Sequence, residues 1–309
     1  MGSDGRESSA QAGARAGLRA SADPLPDADP IVHVPDDWAV WAFSDPHGVA
    51  TGLEAALVAG GLVDRDLRWA AAAGTALVGC GDYVDRGADS RRVVALLRRL
   101  QGEAAAAGGA VVLTRGNHEH LLLGLATGAA RTFDLWLAYG GQATLDSFGI
   151  GLLDPADQRA SVARIEDVAP GIIGWLDALP HAVRWRDVLL VHGGLVPGHR
   201  SADLARGTLE HLWIRETFFG TPWSSGAFRG FQADGIERVV FGHTPQPDGT
   251  RLFHGGRSLA IDTNACGNPQ LPGEARRLVT LVELGDGDAL DGVRSVVVDT
   301  RHAPDGRRS

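Results

Sequence analysis

An α/β fold of two mixed β-sheets packed face to face, with flanking helices, is predicted by two features of this sequence. Between Trp38 and Leu125, short apolar runs of strand length alternate with longer runs whose apolar residues recur at helical spacing. From Arg238 onward, strand-like runs follow one another with no helix between them, which calls for a second, largely antiparallel or mixed sheet. A third observation places chemistry on this frame. Five of the apolar runs end in loops that carry Asp, Asn or His beside glycine, and ligands of such sheets collect at the carboxyl ends of strands.

The elements follow in order. Trp38 to Phe43 reads as the first strand and Val49 to Gly60 as a helix with Leu53, Ala56 and Leu57 on one side. Thr75 to Cys80, bounded by glycines, is a buried strand. Asp89 to Ala107 is a helix with Val93, Leu96, Leu97 and Leu100 on one face and arginines on the other. Ala110 to Thr114 is the third strand, and His118 to Leu125 opens a further helix. Residues 126–180 carry no strand pattern and read as a helical insert beside the site. Ala182–Trp185 and Val188–Val191 flank Arg186-Asp187 as a hairpin. Leu204 to Phe219 reads as one helix, and the Gly-, Ser- and Pro-rich residues 220–235 as a loop at the substrate rim. Strands are expected at Arg238–Phe241, Arg251–Phe253, Ser258–Ile261, Arg277–Glu283 and Ser295–Val298. One domain spans 31–300; residues 1–30 read as a disordered tail without the apolar core of a secretory signal, and 301–309 as a frayed end.

Composition bounds the function. The chain has 309 residues, is 44 % hydrophobic and carries a net charge of −9. That charge disfavours a nucleic-acid partner. No apolar run is long enough to span a membrane. The basic residues are all arginine. Two cysteines, Cys80 and Cys266, lie far apart without a CxxC pattern, which points to a reduced, cytoplasmic setting.

The loops carry the chemistry. Asp45 and His47, two residues apart on one turn, can converge on one cation. Asp82 has two oxygens and can bridge to a second cation, which Asn117, His192 and His243 would complete. Mixed oxygen and nitrogen donors without thiolate suit manganese, iron, zinc or cobalt, manganese foremost, better than calcium or magnesium. Two divalent ions about 3.5–4 Å apart hold a shared water and lower its pKa, and that hydroxide is a nucleophile for in-line attack on phosphorus. Arg86 offers a planar fork for phosphate oxygens. His118 is placed to protonate a leaving alkoxide, and Asp85 to hold His118.

In this order, Asp45-Pro46-His47-Gly48, Gly81-Asp82-Tyr83-Val84-Asp85-Arg86-Gly87, Gly116-Asn117-His118-Glu119, His192-Gly193-Gly194 and Gly242-His243-Thr244 resemble the calcineurin-like metallophosphoesterases, most closely the phosphoprotein phosphatase branch. The resemblance implies the same ligand set, two ions held by Asp45, His47 and Asp82 and by Asp82, Asn117, His192 and His243. It also implies phosphate binding by Arg86, Asn117 and Arg215, with Arg215 carried by Trp213-Ile214-Arg215. The implied activity is a metal-dependent phosphomonoesterase acting on phosphoserine or phosphothreonine in proteins, or on a small phosphate ester. Alternatives are a dinucleoside polyphosphate or nucleotide pyrophosphohydrolase and, from another class, a phosphate-binding scaffold without turnover. Ser44 departs from the glycine the family has there. His47 stands where diadenosine tetraphosphate hydrolases usually have Gln, which favours the protein-phosphatase side. Ile261 to Gly267 resembles a family segment near the site, in which Asp262 reads as a strand-end cap. The remaining histidines, including His120, His181 and His211, have no such context; His120 is expected on a helix surface, and Trp136, Trp175, Trp213 and Trp223 as core or rim packing.

Overall fold

In a computed structural model of the chain, residues 31–127, 132–151, 158–204, 209–268, 271–285, 287 and 289–302 are described. The tail expected at 1–30 lies outside the described residues, as does all of the frayed end expected at 301–309 except residues 301 and 302, which close a 3-10 turn at Thr300–His302.

The chain begins with β1 (Ile31–Val34) and β2 (Ala39–Phe43), then α1 (Ala50–Ala59), β3 (Thr75–Gly79), α2 (Ser90–Ala106), β4 (Ala110–Leu113) and α3 (Asn117–Thr127). The insert follows as α4 (Thr132–Ala138), α5 (Gly141–Ser147), α6 (Gln158–Val168) and α7 (Ile172–Asp177). Next come β5 (Ala182–Trp185), β6 (Val188–Val191), α8 (Ser201–Leu204), α9 (Glu216–Phe219), α10 (Arg229–Ala233) and β7 (Arg238–Phe241). The chain closes with β8 (Arg251–Phe253), β9 (Ser258–Ala260), β10 (Leu278–Leu284) and β11 (Arg294–Asp299).

These strands form two mixed sheets, ordered β11-β10-β2-β3-β4 and β1-β5-β6-β7-β9-β8. Successive side chains on a strand face opposite sides, and that alternation builds three apolar layers. Val40 and Ala42 of β2, with Ala76 and Val78 of β3, point between the sheets, where they meet Val183, Trp185, Val188, Leu190 and Val240. Trp41, Phe43 and Leu77 point the other way, onto Leu53 and Leu57 of α1 and Val93, Leu97 and Leu100 of α2. Leu189, Val191, Val239 and Phe241 cover the far face of the second sheet with Phe218, Phe228 and Phe231. Helix α2 shows the apolar stripe and the charged back expected of it: Arg92 reaches Glu54 at 2.6 Å and Arg99 reaches Glu103 at 2.7 Å.

Four local expectations are revised. Strand β1 precedes the first expected strand and pairs in parallel with β5, Ile31 opposite Ala182. Strands β10 and β11 belong to the first sheet, not the second: β10 runs antiparallel to β2, Val282 opposite Ala42, a partner that adjacency in sequence cannot reveal. Leu204 to Phe219 is not one helix; a 3-10 turn at Leu209–Leu212 and a non-helical Arg215 (φ −133°, ψ −103°) interrupt it. Within 220–235, Trp223–Ser225 forms a 3-10 turn and α10 follows.

Strands β2, β3 and β4 are mutually parallel, as are β6, β7 and β9. Their carboxyl ends deliver Asp45, Asp82, Asn117, His192, His243 and Asp262. No helix among the described residues is long and apolar enough to cross a membrane.

Candidate functional site

The loop after β3 organises the others through its main chain. The carbonyls of Gly81, Asp82 and Tyr83 accept the N–H groups of Asp45, His47 and Gly48 at 3.0–3.1 Å. The Val84 carbonyl accepts from His47 Nδ1 at 2.9 Å and the Cys80 carbonyl from His192 Nδ1 at 2.7 Å. A carbonyl only accepts, so each Nδ1 carries the hydrogen and each Nε2 turns a lone pair to the centre. The path is tight. Asp45, His47, Asp82, Asp85, Arg86 and His243 all hold positive φ, between 40° and 71°, a conformation non-glycine residues avoid and functional sites retain. Gly81, at φ +89°, lies where a Cβ would meet Gly116 and His192 Nδ1 within 2.8 Å.

All ten residues singled out in the sequence come together. His47 Nε2 lies 3.9 Å from Asp45 Oδ1 and 3.5 Å from Asp82 Oδ2. His192 Nε2 lies 3.4 Å from the same Asp82 oxygen and 2.8 Å from Asn117 Oδ1. Neighbouring donors on a cation with bonds near 2.1 Å fall about 3 Å apart, so these separations fit metal ligation. His47, Asp82 and His118 form one set of ligand atoms within 4.8 Å of one another; Asp82, His192 and His243 form another, with Asp82 common to both. Asp45 Oδ2 accepts the His243 N–H at 2.9 Å and the Ser44 hydroxyl, which leaves Oδ1 for the centre. The serine that replaces glycine thus supports a candidate ligand.

The two arginines and the His118–Asp85 pair are drawn to the same place. Arg86 Nη1 lies 3.0 Å from His47 Nε2, and Arg215 Nε donates to His243 Nε2 at 3.0 Å. The Trp213 ring stands edge-on to His243 at 6.1 Å, so Trp213 and Arg215 both turn to the same imidazole where the expected helix is broken. His118 Nδ1 lies 2.8 Å from Asp85 Oδ2, while its Nε2 is buried without a hydrogen-bond partner among the described residues, 3.8 Å from Asp82 Oδ2.

Electrostatics describes a nest of crowded buried acids and neutral imidazoles. Burial raises the pKa of Asp45, and Asp262 adds to it. Burial, then Asp45 and Glu119, raise that of Asp82. Burial lowers His47, with Arg86 adding, and lowers His243, with Arg215 adding; His192 falls to about 3, again chiefly by burial. Buried carboxylates that repel one another, beside imidazoles held neutral, are the donor set that divalent cations satisfy.

Three residues with a part in the site escaped the sequence reading. Glu119, quoted there without a role, accepts the N–H groups of Asp82 and Tyr83 at 2.8 Å, Gly116 at 2.9 Å and Val84 at 3.3 Å, so it ties two candidate ligand loops together. Trp136, expected as packing, donates its indole N–H to Asp85. Thr144 donates its hydroxyl to the same carboxylate. Asp262 Oδ1 accepts the Asn264 N–H at 3.0 Å, a turn cap. His120, expected on a helix surface, is half-buried on α3; its Nδ1 is buried without a partner among the described residues, and burial lowers its pKa to about 4. His181 Nδ1 lies 3.0 Å from His211 Nε2, and the His211 carbonyl accepts the Gly193 N–H beside His192.

Comparison with known proteins agrees with this geometry. The uncharacterized protein C1840.07c of Schizosaccharomyces pombe is 29 % identical over 261 residues, 74 % of this chain and 73 % of its own length. Shewanella-like protein phosphatase 2 of Arabidopsis thaliana is 24 % identical over 274 residues, 72 % of this chain and 70 % of its own. A protein serine/threonine phosphatase structure from Saccharomyces cerevisiae shares the fold at TM-score 0.57 and 16 % identity, over 94 % of this chain and 88 % of that one. Residues 39–247, which contain every candidate ligand, match the calcineurin-like phosphoesterase family, and the chain belongs to it.

Proposed function

We propose that this phosphoesterase is a metal-dependent phosphomonoesterase that acts on phosphoserine or phosphothreonine in proteins, in a reduced cytoplasmic setting. The observation that carries the monoesterase reading is the His118–Asp85 pair. Its buried Nε2 has no partner among the described residues and faces the carboxylate shared by both ligand sets. A serine or threonine alkoxide is a poor leaving group and needs a proton as the bond to phosphorus breaks, whereas a nucleotide leaving from a polyphosphate does not.

Asp45, His47 and Asp82 would hold one divalent ion and Asp82, Asn117, His192 and His243 the other, manganese foremost. When bound, such a pair lowers the pKa of the attacking water and offsets phosphate charge. The chain's own groups supply the rest. The Arg86 and Arg215 guanidinium groups, with the Asn117 amide, grip and orient the phosphate oxygens. His118 delivers the proton to the leaving oxygen, while Asp85 holds the imidazole by Nδ1. Phosphate release from a phosphoserine peptide and from p-nitrophenyl phosphate, after chelation and again with added Mn, tests the reading. Metal-stimulated release from both is expected; none from either ends it. Faster turnover of diadenosine tetraphosphate than of the peptide would move the substrate to the polyphosphate class.

A further inference from the structure

The helical insert reaches into the site at the Asp85–Arg86 pair, and its Tyr139 ring stands edge-on to His118 at 5.9 Å. Thr144 grips Asp85 from two sides: its Oγ1 accepts the Asp85 N–H at 2.9 Å and donates to Oδ1 at 2.6 Å. The Trp136 indole N–H is shared between Oδ1 and Oδ2, at 3.0 Å to each. The Arg86 N–H donates to the Gly140 carbonyl at 3.1 Å. Gly140 has φ +98°, and a Cβ there would fall 3.0 Å from Arg86 N, so the insert lies directly on that backbone. Asp85, His118, Trp136 and Thr144 are all 0 % exposed. No water competes for these hydrogen bonds, and each donor left out would leave a carboxylate lone pair empty in an apolar surrounding. Asp85 and Arg86 both hold left-handed backbone, at 71° and 66°, a conformation that persists only when neighbours enforce it.

We infer that Trp136 and Thr144 are positioning residues of the acid: from the insert they aim the Asp85 carboxylate at His118 Nδ1 and so hold His118 Nε2 on the leaving-group oxygen. The inference rests on the proposed monoesterase reading for its kinetic consequence. Its structural content, the orientation of the Asp85–His118 hydrogen bond, stands apart from that reading. The insert therefore contributes to proton transfer as well as covering one side of the site.

The test uses the full chain with Thr144→Val, Thr144→Ser and Trp136→Phe. Valine keeps the shape of threonine without the hydroxyl; serine keeps the hydroxyl. With a phosphoserine peptide, Thr144→Val and Trp136→Phe lower kcat on the order of 10-fold or more, while KM moves less than about 3-fold. The loss with p-nitrophenyl phosphate is several-fold smaller, because a nitrophenolate leaves with less need of a proton. Thr144→Ser restores most of the peptide turnover. A second readout needs no turnover: in the zinc-loaded protein, the downfield imidazole N–H proton resonance that His118→Asn abolishes shifts or disappears in Thr144→Val and Trp136→Phe and returns in Thr144→Ser. Equal losses on both esters, or a resonance unchanged in the two deficient variants, overturns the inference. Failure of the monoesterase reading has a different signature, a wild-type protein that releases no phosphate, and the N–H resonance then decides the inference alone.

Discussion

Replacing Glu119 with Gln should loosen two ligand loops at once. The carboxylate divides its work evenly: Oε2 accepts from Asp82 and Gly116, Oε1 from Tyr83 and Val84. Glutamine keeps one oxygen. Whichever way its amide turns, two backbone N–H groups lose their acceptor and face an NH2 donor. Glu119 is 0 % exposed, so water cannot take over. A buried donor left unsatisfied costs about 1–3 kcal/mol, so two amount to roughly 2–6 kcal/mol. At roughly 2–4 °C per kcal/mol for a domain of this size, the thermal midpoint falls by about 5–20 °C. Metal content should fall with it, because the same bonds fix the backbone of Asp82 and the entry to Asn117. Thermal unfolding followed by circular dichroism, with metal content by elemental analysis, measures both. A Glu119→Gln protein that melts within about 2 °C of wild type and retains its full complement of metal would refute the account of Glu119 as the tie between the loops.

Other outcomes follow from the same geometry. His118→Asn should lower kcat on a phosphoserine peptide by a factor on the order of 10²–10³, and by less on p-nitrophenyl phosphate, with metal content intact. Equal losses on the two esters, in steady-state assays, would remove His118 as the acid. Chelation should lower the melting midpoint by roughly 10 °C relative to protein saturated with metal, since a ligand at 1,000 times its Kd stabilises by about 4 kcal/mol; scanning calorimetry with and without chelator reads this. Burial holds His120 and His181 at about 4, below the 6.5 of an exposed imidazole, with Arg115 adding in each case. The unfolded chain therefore binds protons at these positions before the folded one does. Their contribution is present in full above pH 6.5 and is lost as pH falls from there toward about 4. Urea unfolding of the chelated protein over that range should show the decline, and His181→Gln should flatten it.

Much of this molecule is legible in its residues because the signals are local. The stripe Val93, Leu97, Leu100 declares α2, and the parallel β2, β3 and β4 follow from strand-length runs separated by helices. The candidate centre is legible because strand ends present Asp45, Asp82, Asn117, His192 and His243 within short, glycine-marked loops. What stayed hidden depends on partners distant in sequence. Strands β10 and β11 follow β9 closely, yet pair at the edge of the other sheet. The helix expected through Trp213 gives way where Arg215 and the Trp213 ring both meet His243, a partner 28 residues on from Arg215. Trp136 and Thr144 stand 51 and 59 residues from the carboxylate they hold, and neither residue type advertises such a bond. Glu119 was in view within its motif, but its work is done on backbone N–H groups, which leave no trace in side-chain patterns.

The peptide carbonyls from Cys80 to Val84 accept N–H groups from the neighbouring turns, so the frame of the pocket is written in the course of the polypeptide and not in its side groups. Point replacements at Asp45, His47 or His192 can exchange one donor for another while the scaffold that aims it survives. Such exchanges offer a route to retuning which cation the pocket prefers. Lengthening or shortening this five-residue stretch by a single residue would instead misdirect two neighbouring turns together, a loss that no choice of side chain can repair.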